Sequence, residues 1–339
     1  MADNDARSVR SPLGWSPACS DWARSQHLDP VGSAGQYAGF LLVEQPLPWP
    51  SDISSMPELV EVANLATSAG FRLQAVVPAA RNEGALSAPD DEVGSLDMEE
   101  ANALTETTRR LICYRSTRPG WAGPLARYES RATRTGLAEA AAALVGEDDG
   151  RMGPGGAGPD VVDILVCTHG RRDACCGSRG IELLADVARA PAISAAVRTW
   201  RTSHTGGHRF APTVIVLPTG TMWAWTDARL LGGVVLGEGS IAEYLGHYRG
   251  CASVGSPSQQ AVERAVLAEV GWALLSTFRR ASDLGGGVIR LETELGSTWE
   301  AVVREGRRVP QPDCRTSPDL ATKQSVEWVV EGLRQVVPA

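Results

Sequence analysis

Residues 161–190 read VVDILVCTHGRRDACCGSRGIELLADVARA, and the first part of that stretch is a strand that ends on a cysteine. VVDILVC (161–167) is a nearly continuous apolar run of strand length, the pattern of a strand buried on both faces. GIELLADVARA (180–190) has its apolar residues at helical spacing. Between the two lie Cys167, Cys175 and Cys176, three of the chain's seven cysteines, together with His169. In an open α/β sheet, ligands bind beyond the carboxyl ends of the strands. The helix that follows presents unpaired N–H groups and partial positive charge there, which lower a thiol's pKa and suit a thiolate.

The neighbouring elements extend this reading. VRTW (197–200) is a short strand, PTVIVLP and TMWAWTD form a hairpin about Pro218-Thr219-Gly220, and SIAEYLGHYRG (240–250) reads as a helix. A β-α-β…β-β-α order of this kind is thioredoxin-like, with parallel strands first and an antiparallel hairpin after. The segment from Trp200 to Pro212 is too short for the usual second helix, so something else fills that position. Upstream, FLLVEQP (40–46) and FRLQAVVP (71–78) read as strands around a helix at 57–70. LICYRS (111–116) and ARYES (126–130) add two strands, and LAEAAAALV (137–145) a helix. The acidic stretch 81–100 reads as a surface loop, and the Gly/Pro-rich GEDDGRMGPGGAGPD (146–160) as a domain boundary. Downstream, 259–280 reads as one long amphipathic helix, with VIRLETE, TWEAVVREG and VEWVVEGL forming a small antiparallel sheet. The expected chain is therefore α/β. A smaller α/β domain spans 1–150, a thioredoxin-like domain 151–255, and a helix with a β extension 256–339, without internal repeats.

Composition narrows the function. The chain has 339 residues, 43% hydrophobic and 21% charged, with net charge −8. No basic face follows a phosphate backbone, so nucleic acid is not an expected partner. No run approaches the ~18 apolar residues of a membrane span, and the polar first residues lack a signal peptide's apolar core. A cytoplasmic protein without membrane contact is expected. An odd number of dispersed cysteines argues against a disulfide framework, and their clustering at 167–176 points to metal or redox chemistry.

The second informative stretch is SHTGGHRFAP (203–212). His204 and His208 would share one face of a helix, but Gly206-Gly207 between them favours a tight loop around a compact object. Glycines also let backbone N–H groups approach and donate to sulfur. C-x8-C…H-x3-H thus supplies two soft thiolates and two imidazoles to one place. Zinc would take four such ligands tetrahedrally. A [2Fe–2S] cluster would take the cysteines on one iron and the histidines on the other. The long C-x8-C spacing favours iron–sulfur over a zinc knuckle.

CTHGRRDACCG, W-x-x-SHTGGHRFAP and VIVLP resemble the sucrase/ferredoxin-like family, closely over about 160–250 and more loosely upstream. The resemblance implies a thioredoxin-like ferredoxin domain holding a [2Fe–2S] cluster on Cys167, Cys176, His204 and His208. Family members place a ligand immediately before a glycine, here Gly177, so Cys176 rather than Cys175 is the implied second thiolate. His169, Cys175, Gly206, Gly207 and Arg209 then surround the ligands, and Cys19, Cys113, Cys251 and Cys314 are expected to be inert buried thiols. The resemblance implies an iron–sulfur electron carrier, with proton-coupled one-electron chemistry and an unidentified redox partner protein. No carboxylate pair suggests sucrose hydrolysis. A thiol-redox enzyme and a structural zinc Cys2His2 module are the competing readings.

Overall fold

The computed structural model describes residues 18–79, 108–146 and 162–336. The N-terminal stretch before residue 18, the acidic loop at 81–100 and all but Gly146 of the expected boundary lie outside the described residues.

The first half opens with α1 (Cys19–Ser25) and β1 (Gly39–Glu44). α2 (Val60–Ser68) leads to β2 (Phe71–Pro78), which runs parallel to β1. β3 (Thr108–Arg115) pairs antiparallel with β1, β4 (Ala126–Thr133) antiparallel with β3, and α3 (Leu137–Val145) follows. In the second half, β5 (Val162–Cys167), α4 (Ala174–Ala188), a single-turn α5 (Pro191–Ser194) and β6 (Val197–Thr202) form the parallel crossover. β7 (Val214–Leu217) is antiparallel to β5, β8 (Thr221–Trp223) antiparallel to β7, and α6 (Ala228–Leu236) follows.

The two halves have the same topology. Each is a parallel β-α-β pair, an antiparallel strand on the first strand's free side, a further antiparallel strand and a helix. Their edges meet where Val76–Pro78 of β2 pair antiparallel with Trp200–Thr202 of β6. With β9 (Tyr248–Cys251) added, the result is one sheet of nine strands in the order β4-β3-β1-β2-β6-β5-β7-β8-β9. The expectation of no internal repeat is thus corrected at the level of topology. Sheet register and helix placement need only apolar alternation, which many different sequences satisfy.

Burial follows the same duplication. Leu41, Val43, Leu111 and Cys113 meet Leu59, Val62, Leu137 and Ala141 of the first half's helical layer. Ile164, Val166, Val214 and Val216 meet Leu183, Val187, Leu231 and Val234 of α4 and α6. The opposite sheet face is shared, with Phe40, Leu42 and Tyr114 of one half in a single core with Leu165, Trp200 and Ile215 of the other. Into this core reaches the fully buried carboxylate of Asp163. It accepts hydrogen bonds from Arg198 (2.8 and 2.7 Å), from Trp200 Nε1 (2.8 Å) and from the Tyr114 hydroxyl across the join.

Three local expectations are corrected. SIAEYLGHYRG forms two 3-10 turns, Ile241–Glu243 and Leu245–His247, and then β9. The closing helix is instead α6, started by Asp227, whose side chain accepts from Leu230 N, and ended at Gly237 in the left-handed region. Its Gly232-Gly233 pair obscures it in sequence. Gly233 is needed because a Cβ there would collide with the Tyr244 hydroxyl. The long helix at 259–280 is α7 (Pro257–Val270), broken at Gly271 and followed by a one-turn α8 (Ala273–Ser276). Its last residues belong to β10 (Arg279–Asp283), which starts a four-stranded antiparallel sheet. β11 (Val288–Thr293), β12 (Thr298–Pro310) and β13 (Gln324–Val336) complete it in order. Buried Val262, Val266 and Leu267 of α7 share the second half's core with Ile289 and Leu291 of this sheet.

Candidate metal centre

Helix α4 begins at Ala174, six residues before its expected start at 180, so Cys175 and Cys176 stand in its first turn. Two glycines mask the helix in sequence, and packing explains them. A Cβ on Gly177 would lie 2.6 Å from Gly170 Cα, and one on Gly180 would collide with the Cys167 carbonyl oxygen. The helix therefore sits directly against the end of β5. Gly180→Ala in an exposed helix would gain about 1 kcal/mol. Here the clash reverses the sign, and a loss of about 1–3 kcal/mol is expected, read as a lower urea midpoint.

Because consecutive helical residues point about 100° apart, Cys175 and Cys176 face different neighbours. Cys176 meets Cys167 at the strand end, close enough for each to shift the other's pKa. The nearby Cys176 thiol, with the backbone of His169 and Thr205, lowers Cys167 to about 6 against the effect of burial. The Cys167 sulfur raises Cys176, and burial adds to it. The pair thus holds one thiolate readily. His204 is close enough for its charge to favour the Cys167 thiolate as well.

The S-H-T-G-G-H segment is a loop, as its glycines imply. Gly206 and Gly207 both have positive φ (82° and 71°), and residues 208–210 form a 3-10 turn where a helix would otherwise stand. Arg249, almost fully buried, fixes this loop from beneath. Its guanidinium donates to Gly206 O at 3.2 Å and to Ser33 O at 2.6 Å, and a Cβ on Gly207 would lie 2.5 Å from Arg249 Nη2. Burial pushes Arg249 down to about 10, while the nearby Cys176 and Cys167 sulfurs oppose that shift. A buried cation is costly without a compensating charge, and this one lies beside the two thiols.

Asp173 precedes α4 in the N-cap position but makes no cap hydrogen bond. Its carboxylate turns to the histidines, with Oδ2 2.9 Å from His204 Nδ1 and Oδ1 3.8 Å from His208 Nδ1. The His204 contact is close yet not aligned as a hydrogen bond, so both atoms remain without one among the described residues. Burial pushes the Asp173 carboxyl up, but the close approach of His204, with the charges of His208 and Arg172, outweighs it and holds the group below the usual carboxylate range. Burial also lowers His208. His169 donates from Nε2 to Pro50 O at 2.8 Å and meets the edge of Trp49. A cleft of about 650 Å³, lined by His204, His169, Arg72 and Arg172 among others, opens beside this group.

Cys175 faces the other way, towards Cys19 of α1 and Cys314 of the β12–β13 connection. Cys19 also approaches His208 Nδ1 at 3.5 Å. Among the described residues, two trios have donor atoms close enough for one metal ion, Cys19–Cys175–Cys314 and Asp173–His208–Cys314. Cys113 and Cys251 are buried elsewhere, burial raising their pKa to about 12 and about 11. Cys19 and Cys314, expected to be inert, instead join the thiol-rich region.

A chain with this thiol pair at a strand end and this histidine loop opposite it matches the family model described as Sucrase/ferredoxin-like over residues 30–250, more than half its length. The chain belongs to the sucrase/ferredoxin-like family. No curated protein and no solved structure matches it significantly. The match ends before Cys314 and begins after Cys19, so two of the trio's thiols lie outside the part this sucrase/ferredoxin-like protein shares with its family. Asp173 and Arg249 also escaped the sequence reading. Asp173 lies inside the cysteine motif, where its proximity was a usable signal, whereas Arg249 is brought in by β9 and gives no local sign. No helix among the described residues is long and apolar enough to cross a membrane.

Proposed function

We propose that the protein is an electron carrier holding a [2Fe–2S] cluster on Cys167, Cys176, His204 and His208. The observation that carries this reading is the pairing of Cys176 with Cys167, on the carboxyl end of β5 and facing the loop of the two histidines. The donor set fits the group. Soft sulfur ligands stand in pairs, the backbone of His169 and Thr205 lies close enough to favour the Cys167 thiolate, and buried Arg249 offsets negative charge beside it. A binuclear cluster takes its ligands two to each iron, so it does not require the compact trio that a single ion would. The bound group would supply one-electron redox at a potential raised by histidine ligation.

The chain's own residues provide the rest. Arg249 and Gly207 fix the histidine loop, and the packing of Gly177 and Gly180 sets the spacing of the two thiols. Asp173 stands where it can accept a ring proton from His204 Nδ1, the carboxylate–histidine arrangement common at metal sites. His204 lines the cleft with Arg72 and Arg172, a surface suited to an acidic redox partner protein.

Anaerobic purification followed by iron and sulfide assay and EPR of the reduced protein tests the proposal. About two irons and two sulfides per chain with a Rieske-like signal support it, and zinc alone, or free thiols without iron, ends it. The midpoint potential is further expected to fall with rising pH once a ring proton is lost, by up to about 59 mV per unit for one proton per electron. A potential flat from about pH 6 to 10 overturns the proton coupling and leaves the cluster assignment intact.

A further inference from the structure

Cys19, Cys175 and Cys314 come from three remote parts of the chain, 156 and 139 residues apart in sequence. Their sulfurs nevertheless meet at 3.2 Å (Cys19 to Cys175), 3.4 Å (Cys175 to Cys314) and 3.6 Å (Cys19 to Cys314), and all three residues are buried. A disulfide places sulfurs about 2.05 Å apart, so none of these pairs is bonded. Thiols are weak hydrogen-bond partners, and core packing alone gives no reason to bring three of them to one point. Around a zinc ion with Zn–S bonds of about 2.3 Å, tetrahedral sulfurs lie about 3.8 Å apart, only a few tenths of an ångström beyond the distances here.

The surroundings suit thiolates. Cys175 stands in the first turn of α4, the 15-residue helix whose N-terminus favours negative charge. The Ser20 backbone lies near enough to favour the Cys175 thiolate, and the Cys175 N–H donates to Cys314 Sγ at 3.4 Å. Buried Arg209, whose Nε makes no hydrogen bond among the described residues, lies close enough for its charge to act on Cys19. Such a cation offsets the net charge of one divalent ion on three thiolates.

We propose that Cys19, Cys175 and Cys314 form a second, mononuclear site for a thiophilic divalent cation of the zinc class, separate from the Cys167–Cys176 pair. Binding displaces the three thiol protons to solvent, and a water molecule completes the coordination. The site fastens α1 and the β12–β13 connection to the first turn of α4. Metal there therefore stabilises the docking of α1 and of the β12–β13 connection on α4. The proposal goes beyond the cluster reading and needs no iron to be correct.

Elemental analysis of the full-length protein, made with zinc present, tests it. About one zinc per chain is expected. Cys19→Ser and Cys314→Ser each lose it by at least about ten-fold while retaining iron, and Cys167→Ser loses iron while retaining zinc. Cobalt added to the wild-type chain, after zinc removal, gives thiolate-to-cobalt charge-transfer absorption saturating at one equivalent, a readout that survives a poorly folding variant. Absence of zinc together with no cobalt uptake overturns the site. Loss of iron in Cys19→Ser and Cys314→Ser overturns it too, because those thiols would then belong to the iron centre. Zinc without any iron, lost in Cys19→Ser and kept in Cys167→Ser, upholds the site and sinks the cluster reading alone.

Discussion

Cys176→Ser is expected to purify with its iron and sulfide reduced roughly ten-fold or more, whereas Cys175→Ser keeps both. The two residues are neighbours in the first turn of α4, and sequence treats them almost alike. Geometry separates them, because Cys176 meets Cys167 while Cys175 meets Cys19 and Cys314. A serine at 176 offers a hard oxygen where a soft iron–sulfur unit requires thiolate, and it leaves Cys167 without its partner. At 175 the same change removes a sulfur that faces away from that pair. His204→Ala should match Cys176→Ser in losing iron, since its ring lies 2.9 Å from Asp173 and near enough for its charge to reach the Cys167 thiolate. Iron and sulfide assays on the three variants, with circular dichroism to establish folding, decide the matter. Should Cys175→Ser strip the iron while Cys176→Ser keeps it, the centre would lie among Cys19, Cys175 and Cys314, and the proposed ligand set would fail.

What sequence revealed of this region depends on how local each cause is. The buried strand ending at Cys167 and the glycine-rich histidine loop are short-range patterns, and both stand where the reading placed them. So does the hairpin about Pro218-Thr219-Gly220, bounded by β7 and β8. The expected start of helix α4 at 180 is late because Gly177 lowers helix propensity, although the reason for that glycine is its contact with Gly170. α6 was missed for a similar reason, its paired glycines making room for Ile193 and Tyr244. The repeated topology left no trace because two sheets can share strand order and direction without sharing residues. Cys19 and Cys314 reach the site only through the packing of α1 and the β12–β13 connection. No spacing rule links residues 156 or 139 positions from Cys175.

Asp163→Ala should destabilise the protein by about as much as truncating a large buried side chain at the join of the two halves. The carboxylate has no exposure, and four side chains converge on it, Arg198, Arg127, Trp200 and Tyr114. Removing one partner of a buried charged group costs about 3–5 kcal/mol because the others lose their compensation. Arg198 is partly exposed and can turn to water, so the lower part of that range is expected. Trp200 and Tyr114 cannot turn away, since both are part of the core shared by the two halves. Their N–H and O–H groups would be left buried and unmade, each adding to the loss. Asp163→Asn keeps an acceptor for Trp200 but drops the charge and should fall between wild type and Asp163→Ala. Tyr114→Phe alone should cost about 1 kcal/mol, since Asp163 retains three partners. In the double variant Tyr114→Phe/Asp163→Asn, the two losses should add to more than the pair costs together, a coupling of about 0.5–3 kcal/mol. Urea unfolding of the four proteins measures it. Strict additivity would mean that Asp163 stabilises only its own half, and that the halves are held together by the β2–β6 pairing and apolar burial instead.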